Sequence, residues 1–447
     1  MRQRTSCFIA LCLIAIPFYA QNEKEWTLDD CINYALEKNI QLQQDKISLQ
    51  ESEIEVKTAK ADLFPSLSFG TGHNLINRPY QEQSATVSGT EIISSNNKTT
   101  YNGNYSLNAQ WTLWNGGQRL NNLKQQKTNR DIAQLTVAET QNMLQEEITQ
   151  LFIQILYAKE SIDINENTLE ISKATYERGK QLFEEGSISK ADLAQLEAQV
   201  SNDEYQVVTS ESALRNYKLQ LKQLLELDGT AEMNLATPQL NDDYVMKLLP
   251  SQEDVYQIAL STRPEIQSSK LSIDNAKLGI SSAKAGYYPT ISLSASTTSS
   301  TNSASSNNWG LQMKYGWNNM IGVNLSLPIF DNRQNRSNVQ KAQLAYYNSQ
   351  YDLTNKQKEL YSTIESFWLD ALNAQQQYEA ADANVKSYQS SFDMVSEQFN
   401  LGMKNTVELL TEKNNLLIAK QQKVQAKYMA ILNRILLNFY AGNKIEL

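Results

Sequence analysis

The sequence is poorest in the residues that do chemistry. Among 447 residues there is one histidine, His73, and there are three cysteines. A single imidazole excludes His-rich metal sites and His pairs, and no His/Cys ligand spacing is present. Proline and glycine are scarce, at 8 and 16. No proline falls between Pro79 and Pro238 or after Pro328, which leaves room for very long helices. Long apolar runs are missing as well. The mean hydropathy is -0.50, which excludes a bundle of membrane-spanning helices, since each span needs ~20 apolar residues in a row. A membrane β-barrel survives this test, because alternating strands hide from hydropathy averages. Positive charge is in deficit, with Lys+Arg 40 against Asp+Glu 49 and a net charge of -9, the wrong sign for a nucleic-acid surface. There is no P-loop, no dinucleotide glycine motif and no nucleophile elbow. A Ser-His-Asp triad would have to use His73, which borders a Ser/Thr/Asn-rich stretch and reads as a solvated loop residue. No catalytic, cofactor or metal residues are assigned.

The N-terminus reads as an address. Arg2 and Arg4 precede an apolar run from Cys7 to Ile16, followed by Pro17 and Ala20. This is the pattern of a secretory signal peptide over residues 1–20, and the run is too short for a membrane anchor. Neither Cys7 nor Cys12 lies at the end of the run behind a small residue, so acylation is not expected. Removal of residues 1–20 takes two cysteines and two arginines, leaving Cys31 alone and a charge of -11, that is -9 less the two positive charges. An exported chain with one cysteine has no intrachain disulfide and must be held by packing and assembly.

What is present is a sequence written twice. Ala35-Leu36 matches Ala259-Leu260, and Pro65 in AKADLFPSLSF matches Pro289 in AKAGYYPTISLS, at one constant offset. LWNGGQR from Leu113 aligns with IFDNRQN from Ile329, and LFEEGSISKADL from Leu182 with QFNLGMKNTVEL from Gln398, at a second offset shorter by eight. The two halves are placed at 21–240 and 241–447, and the length difference falls where loops are expected. Each half reads as helix, two strands, long helix, return helix.

From Leu120 to about Lys180 the chain is rich in Gln, Glu, Lys, Leu and Ala. Leu144, Ile148, Leu151 and Ile155 step by four, three and four along one helix face. A helix of ~60 residues would be ~90 Å long, a length suited to coiled coils and conduits. It is expected to break near Gly179 to Gly186. Ser189 followed by Asp192, and Asn405 followed by Glu408, then form capping boxes that start a new helix in each half. Each half therefore holds a helical hairpin, with tips near Gly186 and Gly402.

Between the helices the period changes to two. From Tyr101 to Leu113 the odd positions are Tyr, Gly, Tyr, Leu, Ala, Trp and Leu, and the even ones Asn, Asn, Ser, Asn, Gln and Thr. Ile321 to Ile329 alternates in the same way, and shorter runs follow Pro65 and Pro289. This makes four strands with one apolar and one uncharged polar face. Four strands cannot close a barrel, for which about eight is a practical minimum, and an open edge in lipid is forbidden. If they span a membrane, several chains must share one barrel. Asn74 to Thr100 and Thr297 to Asn308 read as exposed loops.

These features in this order, with WNGGQR and PIFDNRQ at the strand-to-helix joints, resemble the TolC family of outer-membrane efflux proteins from Trp26 to about Gly442. Asn332-Arg333 stands where the first copy has Gly116-Gly117. The resemblance implies a mixed α and β membrane protein, a homotrimer that builds one twelve-stranded barrel in a Gram-negative outer membrane and continues it as an α-helical tunnel across the periplasm. It implies passive conduction of cargo delivered by an inner-membrane pump, with no catalysis and no cofactor. It further implies that the tips meet a periplasmic adaptor protein through Arg178, Gly186, Ser187, Ile188, Gly402, Met403 and Lys404. An acidic constriction is expected near the tips. Asp393 and Glu397, one helical turn apart, would form its rings under a threefold axis, and Glu184 and Glu185 are further acids at the first tip. Rings of negative charge favour cations. The alternative is an exported coiled-coil scaffold with a small soluble sheet and no pore. Cargo and pump class are not encoded in any motif of this chain.

Overall fold

A computed structural model describes residues 25–80, 84–88, 90–95, 98–229, 233–238 and 242–447. The expected signal peptide, residues 1–20, lies outside the described residues. The first half opens with α1 (Leu28–Lys38) and α2 (Ile40–Ala61). Thr27 and Asp30 close a capping box on α1, and Asn39 ends α1 in extended backbone while its side chain caps α2 through Leu42 N. Next come β1 (Ser66–Asn77), β2 (Ser84–Ser88), β3 (Glu91–Ser95) and β4 (Thr99–Asn115), then α3 (Gln118–Glu184) and α4 (Lys190–Leu224). A short α5 (Asp242–Val245) leads to the second half. It contains α6 (Gln252–Thr262), α7 (Pro264–Ala285), β5 (Thr290–Asn302), α8 (Trp309–Tyr315), β6 (Asn318–Ser326), α9 (Gln334–Asn400) and α10 (Thr406–Tyr440).

The elements stack in three tiers. At one end β1, β4, β5 and β6 pair in that order, antiparallel throughout, as a four-stranded sheet. Below it α2, α3, α7 and α9 lie side by side, each packed on the next. Helices α3 and α9 have 67 residues each, about 100 Å at ~1.5 Å per residue. They run through the middle of the molecule to the far end, where α3 turns back into α4 and α9 into α10, and α10 packs on α3. The main core sits midway, where α1, α3 and α10 bury Cys31, Ile148, Ile155 and Ile431 completely. Each such aliphatic side chain contributes about 1.5–3 kcal/mol of burial. A smaller cluster of Leu182, Leu196, Phe392, Phe399, Leu409 and Leu416 holds the two hairpins together near their tips.

The turns match across the two halves. Gly116 and Gly117 have φ of +67° and +82°, and Asn332 and Arg333, 216 positions on, have +51° and +68°. The turn geometry is therefore left-handed at both strand-to-helix joints although only the first has glycines. Gly186 and Gly402 have φ of +76° and +73°, and Ser187 N and Met403 N donate to Leu182 O and Gln398 O.

Four expectations need correction. His73, read as a loop residue, lies within β1. Gly179 lies inside α3 and does not end it. A Cβ there would come within 2.4 Å of Leu196 Cδ1, so this glycine admits the returning helix instead of breaking its own. The stretches read as loops are partly ordered. β1 runs on to Asn77 opposite Thr99, the hairpin of β2 and β3 fills the first stretch, and β5 runs to Asn302. A polar Ser/Thr/Asn sequence forms a strand when a partner strand offers its ladder. Finally, β6 stops at Ser326, before Pro328, so Ile329 lies past it.

Candidate functional site

The site has two parts at opposite ends of the long helices. The first is the sheet. The register sets Leu67, Phe69, Leu107, Trp111, Leu293 and Val323 on one face, with Ile291 opposite Leu325 and Ala295 opposite Ile321. The other face carries Ser66, Ser68, Asn104, Asn108, Gln110 and Ser294. No strand of this sheet contains Asp, Glu, Lys or Arg. Leu67, Phe69, Ile321, Val323 and Leu325 are each at least two-thirds exposed. An apolar surface this continuous calls for a nonaqueous neighbour. Helix termini fasten the sheet: the Trp111 indole N–H donates to Leu63 O at 2.8 Å, and the Arg119 guanidinium donates to Asp62 O and Thr112 O.

The second part is the pair of hairpin tips. Ser189 Oγ accepts from Asp192 N at 3.1 Å while Asp192 Oδ2 accepts from Ser189 N and Oγ. These bonds hold the Asp192 carboxyl below its ordinary pKa. Asn405 Oδ1 accepts from Glu408 N at 2.9 Å and Glu408 accepts from Asn405 N, and a Lys404 ion pair at 2.7 Å is the main cause of the lowered Glu408 pKa. Gly186, Ser187, Gly402 and Met403 are exposed, whereas Ile188 is half-buried against the tip cluster and Lys404 is half-buried beside Glu408. Arg178 differs from the other tip candidates. It reaches across, donating from Nη2 to Asn400 O at 3.3 Å and from Nη1 to Gln181 Oε1 at 3.0 Å, and so ties the end of one hairpin to the other. Asp393 and Glu397 sit just above the second tip on the exposed side of α9, opposite the buried Phe392 and Phe399. Asp393 Oδ1 accepts from Gln389 Nε2 at 2.8 Å.

Two buried polar networks went unread in the sequence. Lys413 on α10 bonds Asp203 on α4 and Ser172 on α3, each at 2.5 Å, and Gln199 donates to Asp203 at 2.9 Å. Burial is the largest influence on Lys413 and lowers its pKa despite Asp203. At the start of α7, Arg263 pairs with Glu146 at 2.8 Å and Glu265 at 2.9 Å and stacks on Tyr440 at 4.0 Å, while burial raises the Glu146 pKa. A signal for the first network existed. Thr406, Leu409, Lys413 and Leu416 follow the three-four spacing of a buried stripe, which sets Lys413 where a core residue belongs.

No helix among the described residues is long and apolar enough to cross a membrane. A sheet apolar on one side and polar without charge on the other, mounted on helices of about 100 Å, is the arrangement that an outer-membrane channel with a periplasmic extension requires. The comparisons agree. The family described as outer membrane efflux protein matches residues 31–226 and 255–443. The chain is 23% identical over 398 residues to the outer membrane protein TolC of Salmonella enteritidis, covering 88% of this chain and 77% of that one. It is 21% identical over 305 residues to the alkaline protease secretion protein AprF of Pseudomonas aeruginosa, covering 66% of this chain and 61% of that one. The crystal structure of CusC superposes with a TM-score of 0.80 at 19% identity, over 93% of this chain and 92% of that one. The chain belongs to the outer membrane efflux protein family. It is an outer-membrane channel of the efflux and secretion type, reaching into the periplasm, and not a pore-free exported scaffold.

Proposed function

We propose that three copies of this chain close one twelve-stranded barrel, with the apolar face against lipid and the Ser/Asn/Gln face around water. The observation that carries the reading is the sheet itself. Among the described residues it ends in two free edges, β1 and β6, and its apolar face is covered only where α8 packs at one end of β5. A membrane tolerates neither an open edge nor too few strands to close. An open groove of about 640 Å³ between α9 and α10, lined by alanines such as Ala374 and Ala381 and by amide side chains such as Asn373, Gln377 and Gln422, offers room and hydrogen-bonding groups to a helix of a neighbouring copy. Two tandem repeats, 21–240 and 241–447, give each copy two pairs of strands and two hairpins, and the matching left-handed turns support that division.

Cargo enters at the tips from an inner-membrane pump and leaves through the barrel, with the pump supplying the energy. The tips Gly186, Ser187, Ile188, Gly402, Met403 and Lys404 meet the adaptor protein, and the Ser189/Asp192 and Asn405/Glu408 caps keep those turns rigid. Asp393 and Glu397 line the constriction as rings of negative charge, and Arg178 holds the tips closed against their repulsion. Sedimentation of detergent-solubilised protein tests the assembly. A particle of three chains that conducts ions in a planar bilayer is expected, and a water-soluble single chain would end the reading.

A further inference from the structure

Helix α8 and Trp317, two residues past its end, are not needed to close a barrel, yet the helix is held by specific bonds. Asn308 Oδ1 caps the helix through Leu311 N at 2.9 Å. Asn302 N donates to Gln312 Oε1 at 2.7 Å and Ser299 Oγ donates to Met313 O at 2.9 Å. The pairing of β5 with β6 stops at Thr298 opposite Asn318, so these bonds occupy a stretch of β5 that β6 leaves unpaired. The helix is pinned to the sheet.

It is pinned on the apolar side. Ser299 and Thr301 share the face of Leu293 and Ala295, and each is only 7% exposed. The Trp309 indole meets the Tyr105 ring edge-on at 6.2 Å, Tyr105 meets His73 at 5.4 Å, and His73 Nδ1 lies 2.5 Å from Tyr101 Oη. Tyr101 and Tyr105 continue the face of Leu107 and Trp111. His73, read from sequence as a solvated loop residue, is thus a strand residue inside an aromatic cluster. Despite this anchorage, Trp309, Tyr315 and Trp317 stand 60%, 57% and 60% exposed.

The opposite end of the same face carries a second aromatic group, with Trp114 against Tyr288 at 5.9 Å. Nine positions separate Tyr105 from Trp114. That is about 30 Å along a strand at ~3.3 Å per residue, or about 23 Å in height at a tilt of ~40°. A membrane barrel has an apolar band ~25 Å tall between two aromatic girdles.

We propose that α8 and Trp317 form an aromatic anchor seated in the outer-leaflet lipid, at the level where headgroups meet acyl chains. Indole and phenol rings suit that boundary; the Trp309 and Trp317 N–H groups donate to Tyr105 Oη at 3.4 Å and Asn319 Oδ1 at 3.0 Å, which satisfies their polar ends and leaves the ring faces for the acyl chains. Lys314, exposed on the same helix, extends toward headgroup phosphates. The occupant is lipid because the patch is continuous with the lipid-facing strand surface, and the inference rests on that reading of the sheet.

The test uses the full chain reconstituted in phosphatidylcholine vesicles that carry a nitroxide either near the headgroup or near the chain end. Tryptophan quenching is compared among wild type, Trp309→Phe/Trp317→Phe and Trp111→Phe/Trp114→Phe, changes that keep apolar bulk. The anchor predicts that the Trp309→Phe/Trp317→Phe variant loses about half of the emission quenched by the shallow nitroxide. If that variant quenches like wild type while Trp111→Phe/Trp114→Phe lowers the quenching, the anchor is wrong and the barrel stands, with water or a neighbouring copy covering α8. If no nitroxide quenches the wild-type protein, the lipid-facing sheet is wrong and the anchor falls with it.

Discussion

Lys413 Nζ on α10 lies 2.5 Å from Asp203 Oδ2 on α4, with the two side chains 5% and 2% exposed. The pair joins the two hairpins of one chain just above their tips, inside the cluster formed by Leu196, Phe392 and Leu409. Charges buried so deeply are costly to strand. Lys413→Met leaves the Asp203 carboxylate without its cation and should destabilise the hairpin pair by about 3–5 kcal/mol, whereas Lys413→Met with Asp203→Leu should recover most of the loss. Denaturant unfolding of both variants separates the two. Equal losses would mean that the network matters for its hydrogen bonds and not its charges.

A second ion network should respond to pH. Lys386 and Lys423 both bond Asp382, at 2.8 Å and 2.7 Å, and their hydrogen bonds lower its pKa to about 2. A depressed carboxylate pKa stabilises the fold above the unfolded value of about 3.9, and that stability is lost as pH falls toward the folded value. The side chains are partly exposed, so the contribution stays below about 1 kcal/mol. Asp382→Asn should melt below wild type at neutral pH, and the gap should vanish as pH falls from about 4 to about 2. A gap that is constant over that range would contradict the pairing.

The left-handed turns allow a test in both directions. Arg333 holds φ of +68° where the other copy has Gly117 at +82°. An L-residue in this region costs about 1–2 kcal/mol. Arg333→Gly should raise thermal stability accordingly, and Gly186→Val, at +76°, should lower it by at least as much. If Arg333→Gly is destabilising, the arginine side chain carries a contact that outweighs its backbone strain.

The proposed acidic rings govern ion preference. Asp393→Asn should reduce the cation preference of single channels in planar bilayers, and Asp393→Asn with Glu397→Gln should reduce it further, because each removes a ring of charge from the narrowest section. The uncharged strands contribute nothing of either sign. A reversal potential identical to wild type in the double variant would remove both residues from the pore.

The legible parts of this fold were those written in period and punctuation. Pro65 and Pro289 marked the helix-to-strand joints, and Ser189 and Asn405 marked the hairpin starts, because a proline ring and a cap side chain act on the local backbone. Gly179 misled because its role depends on Leu196, a partner on another helix. The β2–β3 hairpin and the outer end of β5 were hidden because Ser/Thr/Asn sequences pair only when a neighbour is supplied. His73 and Lys413 were misread or missed for the same reason. One looks like a loop residue until β4 pairs with its segment, and the other looks like a surface lysine until the helix stripe is counted.

Adjacent β1 residues should meet opposite solvents if the sheet faces lipid on one side and water on the other. Single nitroxide labels at Phe69→Cys and Ser68→Cys, in a Cys31→Ser background of the processed chain reconstituted in vesicles, measure this directly by collision with oxygen, which partitions into lipid, and with a nickel chelate, which stays in water. The prediction is that the label at 69 is accessible to oxygen and protected from nickel, with the reverse at 68. Equal access to nickel at both positions would contradict a lipid-facing sheet.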